Sequence, residues 1–534
     1  MTLKKRVITV LIIACMVGGL FGVGKAGLLH INPVDETQGS EENLFGQRET
    51  LYFWYTDEAL TDYLSSVAVS YNEIQSDVRV IPVYTSGLEY LETINQASLH
   101  SEEVPDLYII GNDSLEKAYL AGLASEINEP EGIPDMSEYF PEVSVNAATY
   151  HEKQIGYPFY FETSSFLYNK TYLEDWARAQ IEAEADAAEG EAAQEELDNG
   201  GDPETDEEIA ENAETEAEET QTQEEAVSDE AVAARVEEAL PKTIDDILMF
   251  ADMYDAPEQV EAVFKWDVSD IFYNYFFVGN YINVGGSTGD DAQSINIYNE
   301  NAIRCMRVYQ DLNQFFSIDT AEISYADILQ DFIDGKIVYT VATTDALSII
   351  EAAKANGEFD YEYGTSVLPD VSEELVSKSL SVTQCIVVNG YSEKKEAAND
   401  FAVYLACFNA DTLYDRTGKV PALENVEITN ANADAFISEY VKSVPIPKMI
   451  ETSNYWVEME IAFAQIWDGN DANMDLKALS EKIWAQIVGE SYAEEYIDVP
   501  EEVSEEEIVD EGMEDYESDS QNNDDSEEAD SDEE

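Results

Sequence analysis

The sequence predicts an α/β protein made of doubly wound sheets, and three observations support this fold class. Apolar runs of strand type alternate with segments of helical apolar spacing between Leu51 and Gly122. A second alternating series begins at Pro241 and continues to Gly489. The chain has 534 residues, so more than one globular unit is expected.

The first series contains three predicted strands, each followed by a helix. LYFWYT (51–56) is the first strand and leads into Asp57, a candidate helix N-cap. VRVIPVY (78–84) is a continuous apolar run, as expected of a parallel strand covered on both faces. PDLYIIGND (105–113) is the third strand, and the helix after it ends at Gly122. This order is typical of a doubly wound sheet.

The stretch IGYPFYFETSSFLYNK (155–170) holds one acid, Glu162, inside an apolar strand. Burying a lone carboxylate costs several kcal/mol, so we expect Glu162 to face a cleft and accept hydrogen bonds from a polar ligand. The alternative is an edge strand with Glu162 on its wet face.

The second series resumes at LPKTIDDIL (240–248), a helix for which Thr243 is a candidate cap. An aromatic-rich stretch follows at 266–286. The other elements predicted here are strands at 337–343, 361–369 and 379–392 and helices at 345–356, 394–408 and 475–488.

Acidic residues are concentrated in two segments of this chain, whose net charge is −89. Residues 181–240 hold 24 acids and one base, and residues 491–534 hold 22 acids and no base. Self-repulsion and the lack of an apolar docking stripe predict a disordered or marginally helical insertion at 181–240, and a disordered tail at 491–534. A helix is possible in the insertion because Ala and Glu are good helix formers. Nucleic acid is excluded as a partner because such a surface repels phosphate.

The N-terminus resembles an export segment, with MTLKKR followed by a long apolar run. Residues 1–26 are predicted to be a signal or anchor, and residues 27–49 a polar spacer. Three outcomes are open: acylation of Cys15 at a lipobox-like sequence, an uncleaved anchor, or cleavage after Ala26. We expect one of the first two, which tethers the chain to the outer face of the cell membrane.

Cofactor and enzyme signatures are missing from the sequence. The four cysteines form no CxxC pair and the three histidines are scattered, so neither metal sites nor disulfides are predicted. P-loop and HExxH motifs are also lacking. We therefore expect neither catalysis nor a cofactor, although the dense carboxylates could supply a glycosidase pair anywhere.

Six stretches in order resemble the extracellular solute-binding proteins of ABC importers, in particular their maltose-binding-like, sugar-binding group. They contain a Pro-Asp strand, a Tyr-Asn-Lys strand, a Pro-Lys-Thr helix start, a Gly-Lys strand, an Asn-x-Tyr-Ser crossing and a C-terminal segment with an aromatic. In this chain they are 105–127, 155–173, 240–248, 331–343, 378–406 and 444–462.

This resemblance implies a periplasmic-binding-protein-like fold of type II, in which two doubly wound lobes are joined by crossover strands. The crossovers are expected at 156–165 and 380–388, with a third crossing near 430. Lobe 1 is expected to hold 50–158 plus 385–430, and lobe 2 to hold 165–380 plus 435–490. Ligand is expected between the lobes, where strands end.

A sugar needs flat rings to stack on and carboxylates or amides for its hydroxyls. The candidate ligand-binding residues at the predicted strand ends and crossings are Trp54, Tyr55, Asp57, Asn112, Asp113, Glu162, Trp266, Asp270, Tyr273, Asp345 and Trp456. Trp456 takes the stacking role by resemblance. The sequence Thr343-Thr344-Asp345 replaces a tryptophan that maltose-binding proteins carry, which argues against maltose specificity.

Alternatives stay open for several of these residues. Asp57 serves equally well as a helix cap only, and Trp54 and Tyr273 as core residues. The predicted function is capture of a carbohydrate outside the cell and its delivery to a membrane permease, by a monomer. The alternative is a surface-anchored sensor or adhesion protein that retains the binding fold.

Overall fold

The fold is described from a computed structural model over residues 48–100, 103–127, 135–198, 227–316, 318–320 and 323–500. The predicted signal segment, Cys15, most of the spacer, residues 199–226 of the insertion and residues 501–534 of the tail lie outside these ranges. Among the described residues, no helix combines the length and the apolar character needed to cross a membrane.

The strands β1 to β14 alternate with helices along much of the chain. In chain order they are Glu49–Tyr55, Val78–Tyr84, Leu107–Gly111, Thr149–Tyr150, Lys153–Gln154, Tyr157–Asn169, Ala262–Phe264, Asn283–Gly285, Asp291–Asn296, Ile337–Thr343, Tyr363–Ser366, Leu380–Val388, Val420–Pro421 and Val444–Pro445.

The helices α1 to α16 cover both faces of the main sheet. In chain order they are Thr61–Ile74, Tyr90–His100, Leu115–Leu120, Glu142–Ala147, Lys170–Asp198, Asp229–Ala239, Ile244–Met253, Ile271–Asn274, Glu300–Phe316, Tyr325–Ile333, Asp345–Asn356, Lys395–Phe408, Leu413–Thr417, Ala433–Lys442, Tyr455–Trp467 and Ala472–Val488. The predicted α/β class with two lobes is confirmed.

Two long strands link the lobes into one sheet with the order β2-β1-β3-β12-β6-β10-β7. The first half of β6 pairs antiparallel with β12, and its second half pairs with β10 from Ser164 to Tyr168. β12 in turn pairs with β3 of the first lobe. The strand that carries Glu162 therefore passes from one lobe to the other.

Three apolar clusters stabilise this arrangement. One buries the β1–β3 strands under α1 and α12 and continues through the crossover segments to α10 and α11. A second lies in the other lobe around the aromatic stretch and α15 and α16. A smaller third cluster packs α2 and α3 on the opposite face of β3. Apolar packing is thus continuous across the region where the chain crosses between lobes.

Of the two alternatives for 181–240, disorder or a helix, the residues that the structure describes are mainly helical, and the expected lack of an apolar docking face is wrong for α6. α5 continues to Asp198, and α6 packs back on it. Val232 and Val236 of α6 are buried in the second cluster together with Leu173 and Ala177 of α5. The short apolar face of α6 was hidden by the acidic composition around it.

The predicted disorder of the tail is likewise wrong for residues 491–500. The guanidinium of Arg307 donates hydrogen bonds to the carbonyl oxygens of Val499 and Pro500. The backbone N–H of Ile497 donates to the hydroxyl of Tyr298. Because Ile497 and Val499 are apolar, this part of the acidic tail packs on the second cluster.

Candidate functional site

Lys419 brings together an acid that follows β1 and an acid on β6. Its Nζ lies 2.8 Å from a carboxylate oxygen of Asp57 and 3.9 Å from one of Glu162. It also lies 5.6 Å from the centre of the Tyr160 ring. A cation shared by two carboxylates beside an aromatic face is a polar cluster that can exchange partners with a ligand.

The backbone around Lys419 explains its position. Gly418 ends α13 in the left-handed conformation, with φ of 73°, which only glycine adopts without strain. The chain then enters β13, which pairs antiparallel with β6 at Tyr160 and Phe161. Lys419 is therefore held next to the strand on which Glu162 lies.

Asp57 follows β1 and has two partners. One carboxylate oxygen accepts a hydrogen bond from the N–H of Ala59 at 3.0 Å, so Asp57 caps a short helical turn. The other oxygen pairs with Lys419. The helix-cap role and the cleft position are compatible in the same side chain.

Glu162 is surrounded by protein and yet reached by water. Its side chain is 42% exposed. Burial nevertheless removes hydration and raises the pKa of Glu162; Lys419 opposes this rise, and Asp345 and Asp57 add to it. This combination of solvent access and desolvation is what a cleft produces.

Asp345 begins α11 and contributes a third carboxylate, whose charge adds to the rise of the Glu162 pKa. One of its oxygens accepts hydrogen bonds from the hydroxyls of Tyr325, at 2.9 Å, and Thr343. The Tyr325 ring stacks on Tyr273 with the ring centres 4.6 Å apart. Burial, followed by the nearby Asp345 charge, raises the pKa of Tyr325, so its hydroxyl stays protonated as a donor.

Asp270 and Trp456 lie on neighbouring elements of the same lobe. Asp270 accepts a hydrogen bond from the N–H of Phe272 at the start of α8, and burial raises its pKa. Glu460 of α15 has its pKa raised by burial and then by Asp270. Trp456 lies one turn before Glu460 and is partly exposed, with its ring 5.8 Å from that of Tyr275.

Two predicted residues of lobe 1 retain contact with solvent. Asp113 is exposed just after β3, where the surrounding protein still raises its pKa by desolvation. Trp54 is partly buried and packs against the third apolar cluster.

Tyr55, Asn112 and Trp266 were expected in the cleft and instead have structural roles. Their exposed fractions are 2%, 0% and 0%. The hydroxyl of Tyr55 donates to Thr61, and the amide of Asn112 binds the carbonyl of Ile446 and the N–H of Thr383. The indole of Trp266 is fully buried, stacked 4.4 Å from Phe264. The expectation of ligand contact is corrected for these three residues.

Sequence reasoning missed four residues that contact the three acids or Lys419, namely Lys419, Tyr160, Thr343 and Tyr325. Lys419 stands in a loop between a short helix and a two-residue strand, where no periodic pattern marks it. The available signal was its chemical type, since the chain has only 26 basic residues against 115 acidic ones.

The arrangement suits a neutral molecule with many hydroxyls. Asp57, Glu162 and Asp345 offer acceptors, while the Lys419 ammonium offers donors. Among the described residues, no group of three or more His, Cys, Asp or Glu side chains is placed to hold a metal ion. Binding through hydrogen bonds and ring stacking is the chemistry that these groups provide.

Comparison with protein families gives one match, to the model described as "Bacterial extracellular solute-binding protein", over residues 67–440. No curated protein is similar enough to match.

Solved structures share the fold at low sequence identity. An extracellular solute-binding protein from Staphylococcus aureus in complex with maltose is 17% identical, with a TM-score of 0.61 over 82% of this chain and 98% of that one. A cyclo/maltodextrin-binding protein complexed with maltotetraose is 17% identical, with a TM-score of 0.62 over 83% and 98%. The maltose-binding protein of Listeria monocytogenes is 18% identical, with a TM-score of 0.60 over 84% and 100%.

Proposed function

The chain belongs to the bacterial extracellular solute-binding protein family, and from this premise we propose that it captures an oligosaccharide outside the cell for an ABC importer. The similar structures named above were determined with maltose or maltotetraose bound, which supports a carbohydrate ligand. Because the sequence identity of these proteins to this chain is low, the residues of this chain must decide which sugar binds.

The convergence of Asp57, Glu162 and Asp345 around the crossing strand carries the proposal. These acids come from the first lobe, the crossover and the second lobe. A ligand that bridges all three is held by both lobes at once. Sugar hydroxyls are good donors to carboxylates, and charge-assisted hydrogen bonds are about twice as strong as neutral ones.

Trp456 provides the stacking surface in this proposal. Its partly exposed ring lies on α15. Glu460 of the same helix is close enough to Asp270 for that charge, after burial, to raise the pKa of Glu460. The apolar C–H face of a sugar ring packs well on an indole. Asp113, Asp270 and Trp54 complete the proposed set of lining residues, whereas Tyr273 is buried in the second apolar cluster and stacks on Tyr325.

Ligand binding is proposed to favour closure of the lobes about β6 and β12. A ligand shifts such an equilibrium only by its difference in affinity for the two states. Contacts from both lobes supply that difference, because they all form together only when the lobes close. The closed surface is then what a permease recognises.

The remaining parts of the chain are assigned by the same proposal. Lobe 1 comprises 50–158 plus 385–430, and lobe 2 comprises 165–380 plus 435–490. The N-terminal segment tethers a monomer to the outer face of the membrane, through a lipid at Cys15 or an uncleaved anchor. Binding takes place without catalysis.

Calorimetric titration of the full chain with a panel of neutral and charged oligosaccharides tests this function. We expect binding of at least one neutral oligosaccharide, with that sugar recovered intact afterwards. The variant Glu162→Gln is the control for site binding. Absence of heat with every sugar would refute the carbohydrate assignment, and cleavage of the bound sugar would refute a pure binding role.

A further inference from the structure

A second polar cluster, outside the acid cluster, connects the two lobes. Its centre is Lys448, a fully buried residue on the segment that follows β14. The Lys448 ammonium donates hydrogen bonds to the carbonyl oxygens of Asn146 at 2.9 Å and Thr149 at 2.5 Å, both on lobe 1. The backbone N–H of Lys448 donates at 2.9 Å to Gly289, on the turn between β8 and β9 of lobe 2. One residue is therefore bonded to both lobes.

Two acids of this cluster each accept a hydrogen bond from the backbone of the opposite lobe. Asp290 of lobe 2 accepts from the N–H of His151 on lobe 1 at 2.7 Å. Glu116 of lobe 1 accepts from the N–H of Ile450, two residues after Lys448. We call Lys448, Asp290 and Glu116 the lobe junction, because their side chains bond one lobe to the other.

The turn that Asp290 contacts has an unusual backbone conformation. His151 and Glu152 join β4 to β5 and have φ of 44° and 64°, in the left-handed region. Two-residue hairpin turns with positive φ usually carry Asn and Gly, because other residues adopt this conformation at a cost. Such a turn persists where the surrounding structure holds it. The hydrogen bond from His151 to Asp290 is a contact of this kind.

The lobe junction also fixes the segment that leads to Trp456. Met449, between Lys448 and Ile450, is buried in the second apolar cluster. The chain then passes through a short helical turn, Ile450–Asn454, directly into α15. The position of Trp456 relative to lobe 1 therefore depends on the junction.

We propose that Lys448 is a positioning residue, whose ammonium locks lobe 1 to lobe 2 at the lobe junction and thereby sets the position of Trp456 for the sugar. The lock is a property of the fold, whereas its effect on sugar binding rests on the proposed function.

The lock should depend on the proton of Lys448. Burial lowers the pKa of Lys448 to about 8, and the charges of Asp290 on the β8–β9 turn, Cys385 on β12 and Glu116 on α3 oppose this decrease. When the junction opens, water reaches the ammonium and its pKa returns to about 10.4. The open junction therefore binds the proton more tightly, and raising the pH from 7 to 9 shifts the equilibrium about 10-fold towards the locked state. The neutral amine still has two N–H groups, one for each carbonyl oxygen.

Amide hydrogen exchange of the full chain without sugar tests the lock directly. The reporters are the N–H groups of His151 and Ile450, which the junction protects. Their protection factors, corrected for the intrinsic effect of pH on exchange, should rise about 10-fold between pH 7 and 9 in the wild type. The rise should be absent in Lys448→Met, which has no such proton. The matched control Lys265→Met, which breaks an ion pair with Asp331 inside lobe 2, should keep the wild-type profile.

A second variant moves the titration without touching Lys448. Asp290→Asn keeps an oxygen that can accept from the N–H of His151 and removes the charge that most opposes the lowered pKa of Lys448. The rise in protection should therefore begin at a lower pH than in the wild type. A merely structural role of Asp290 would change protection equally at every pH.

Calorimetric Kd values at pH 7 connect the lock to sugar binding. With the tightest binder among maltotetraose, cellotetraose and xylotetraose, Lys448→Met should raise Kd about 3- to 10-fold, because the arrangement that binds sugar is less populated. Lys265→Met should leave Kd unchanged.

The outcomes separate this inference from the function on which it rests. Wild-type protection that does not change with pH, or the same rise in Lys448→Met, would overturn the lock. An unchanged Kd in Lys448→Met would overturn the positioning role. A wild-type chain that shows the pH-dependent protection and binds none of the three sugars would refute the neutral-oligosaccharide assignment and support the lock.

Discussion

The ammonium group of Lys419 lies 2.8 Å from the carboxylate of Asp57. This contact joins the loop before β13 to the end of β1, and the same ammonium lies 3.9 Å from Glu162. One cation thus balances part of the charge of two acids, one at the end of β1 and one on β6. The proposed binding site depends on this balance of charge between Lys419 and the acids.

Replacing Lys419 with methionine should make sugar binding sensitive to pH. The pKa of Glu162 is raised mainly by burial, and Lys419 is the group that opposes the rise. Without Lys419 this pKa rises further, so Glu162 becomes protonated at a higher pH and loses acceptor capacity there. As the pH is lowered from 8 to 5, the affinity for sugar should fall in both proteins. The fall should begin at a higher pH in Lys419→Met than in the wild type.

Calorimetric Kd values at several pH values measure this effect. Lys419→Arg should keep the wild-type profile because the charge remains, and Lys395→Met, at an exposed position, is the surface control. Parallel pH profiles for wild type and Lys419→Met would show that Lys419 does not tune Glu162.

The substitution Glu162→Gln should weaken binding about 10- to 100-fold, since hydrogen bonds to charged groups contribute about 1.5–3 kcal/mol. The free energy of unfolding, by contrast, should stay the same or rise. A carboxyl pKa that is raised in the folded protein means that the ionised form destabilises the fold. This effect disappears as the pH falls below the pKa that the carboxyl has in the unfolded chain. At pH 7 the variant should therefore be at least as stable as the wild type, and the difference should shrink towards pH 4.

Urea unfolding at pH 7 and pH 4 checks the stability change. The control Glu393→Gln, at an exposed position, should change neither the Kd for sugar nor the free energy of unfolding. A large loss of stability in Glu162→Gln at pH 7 would indicate that this acid serves the fold.

The two tryptophans Trp456 and Trp266 should respond oppositely to truncation. Trp456→Ala removes a partly exposed ring and should raise Kd about 10-fold with a small loss of stability. Trp266→Ala empties a fully buried site and should lower the free energy of unfolding by about 3–5 kcal/mol. Quenching of intrinsic fluorescence by sugar should decrease in Trp456→Ala. Unaltered quenching would place the ligand elsewhere.

Shortening the acidic insertion should leave binding intact. Replacing residues 199–226 with a Gly-Ser linker of about 16 residues, long enough to run back along α5, keeps α5 and α6. These two helices run parallel, with ion pairs of Arg178 with Asp229 at 3.4 Å and of Arg235 with Glu184 at 2.8 Å. The core of lobe 2 is unaffected, so Kd should stay within about 2-fold of the wild type. Loss of sugar binding with the fold preserved would favour the sensor or adhesion alternative, in which this segment serves the function.

The fold was largely predictable because strands and helices each produce an apolar pattern of characteristic period in the local sequence. The apolar runs at 78–84 and 337–343 became β2 and β10, and the helical spacing after Asp345 became α11. The acid inside the strand at 155–170 was recognised because a buried carboxylate is costly. The acidic insertion was misjudged because average composition outweighed the few apolar residues, such as Val232 and Val236, that dock it.

The site was only half predictable. Asp57, Glu162 and Asp345 could be selected because each stands at a strand end or inside an apolar strand. Trp266 could not be separated from Trp456 by sequence, since both stand in aromatic surroundings and only three-dimensional packing leaves one ring partly exposed. Lys419 was missed because it does not interrupt a periodic pattern.

By itself, the sequence determined the alternation of elements, the crossover strand and the excess of acids, because these are properties of neighbouring residues along the chain. Only the tertiary structure decided which groups share a space. It placed Lys419 between Asp57 and Glu162 and the Lys448 ammonium against the carbonyl oxygens of Asn146 and Thr149, and both results depend on contacts between residues far apart in sequence.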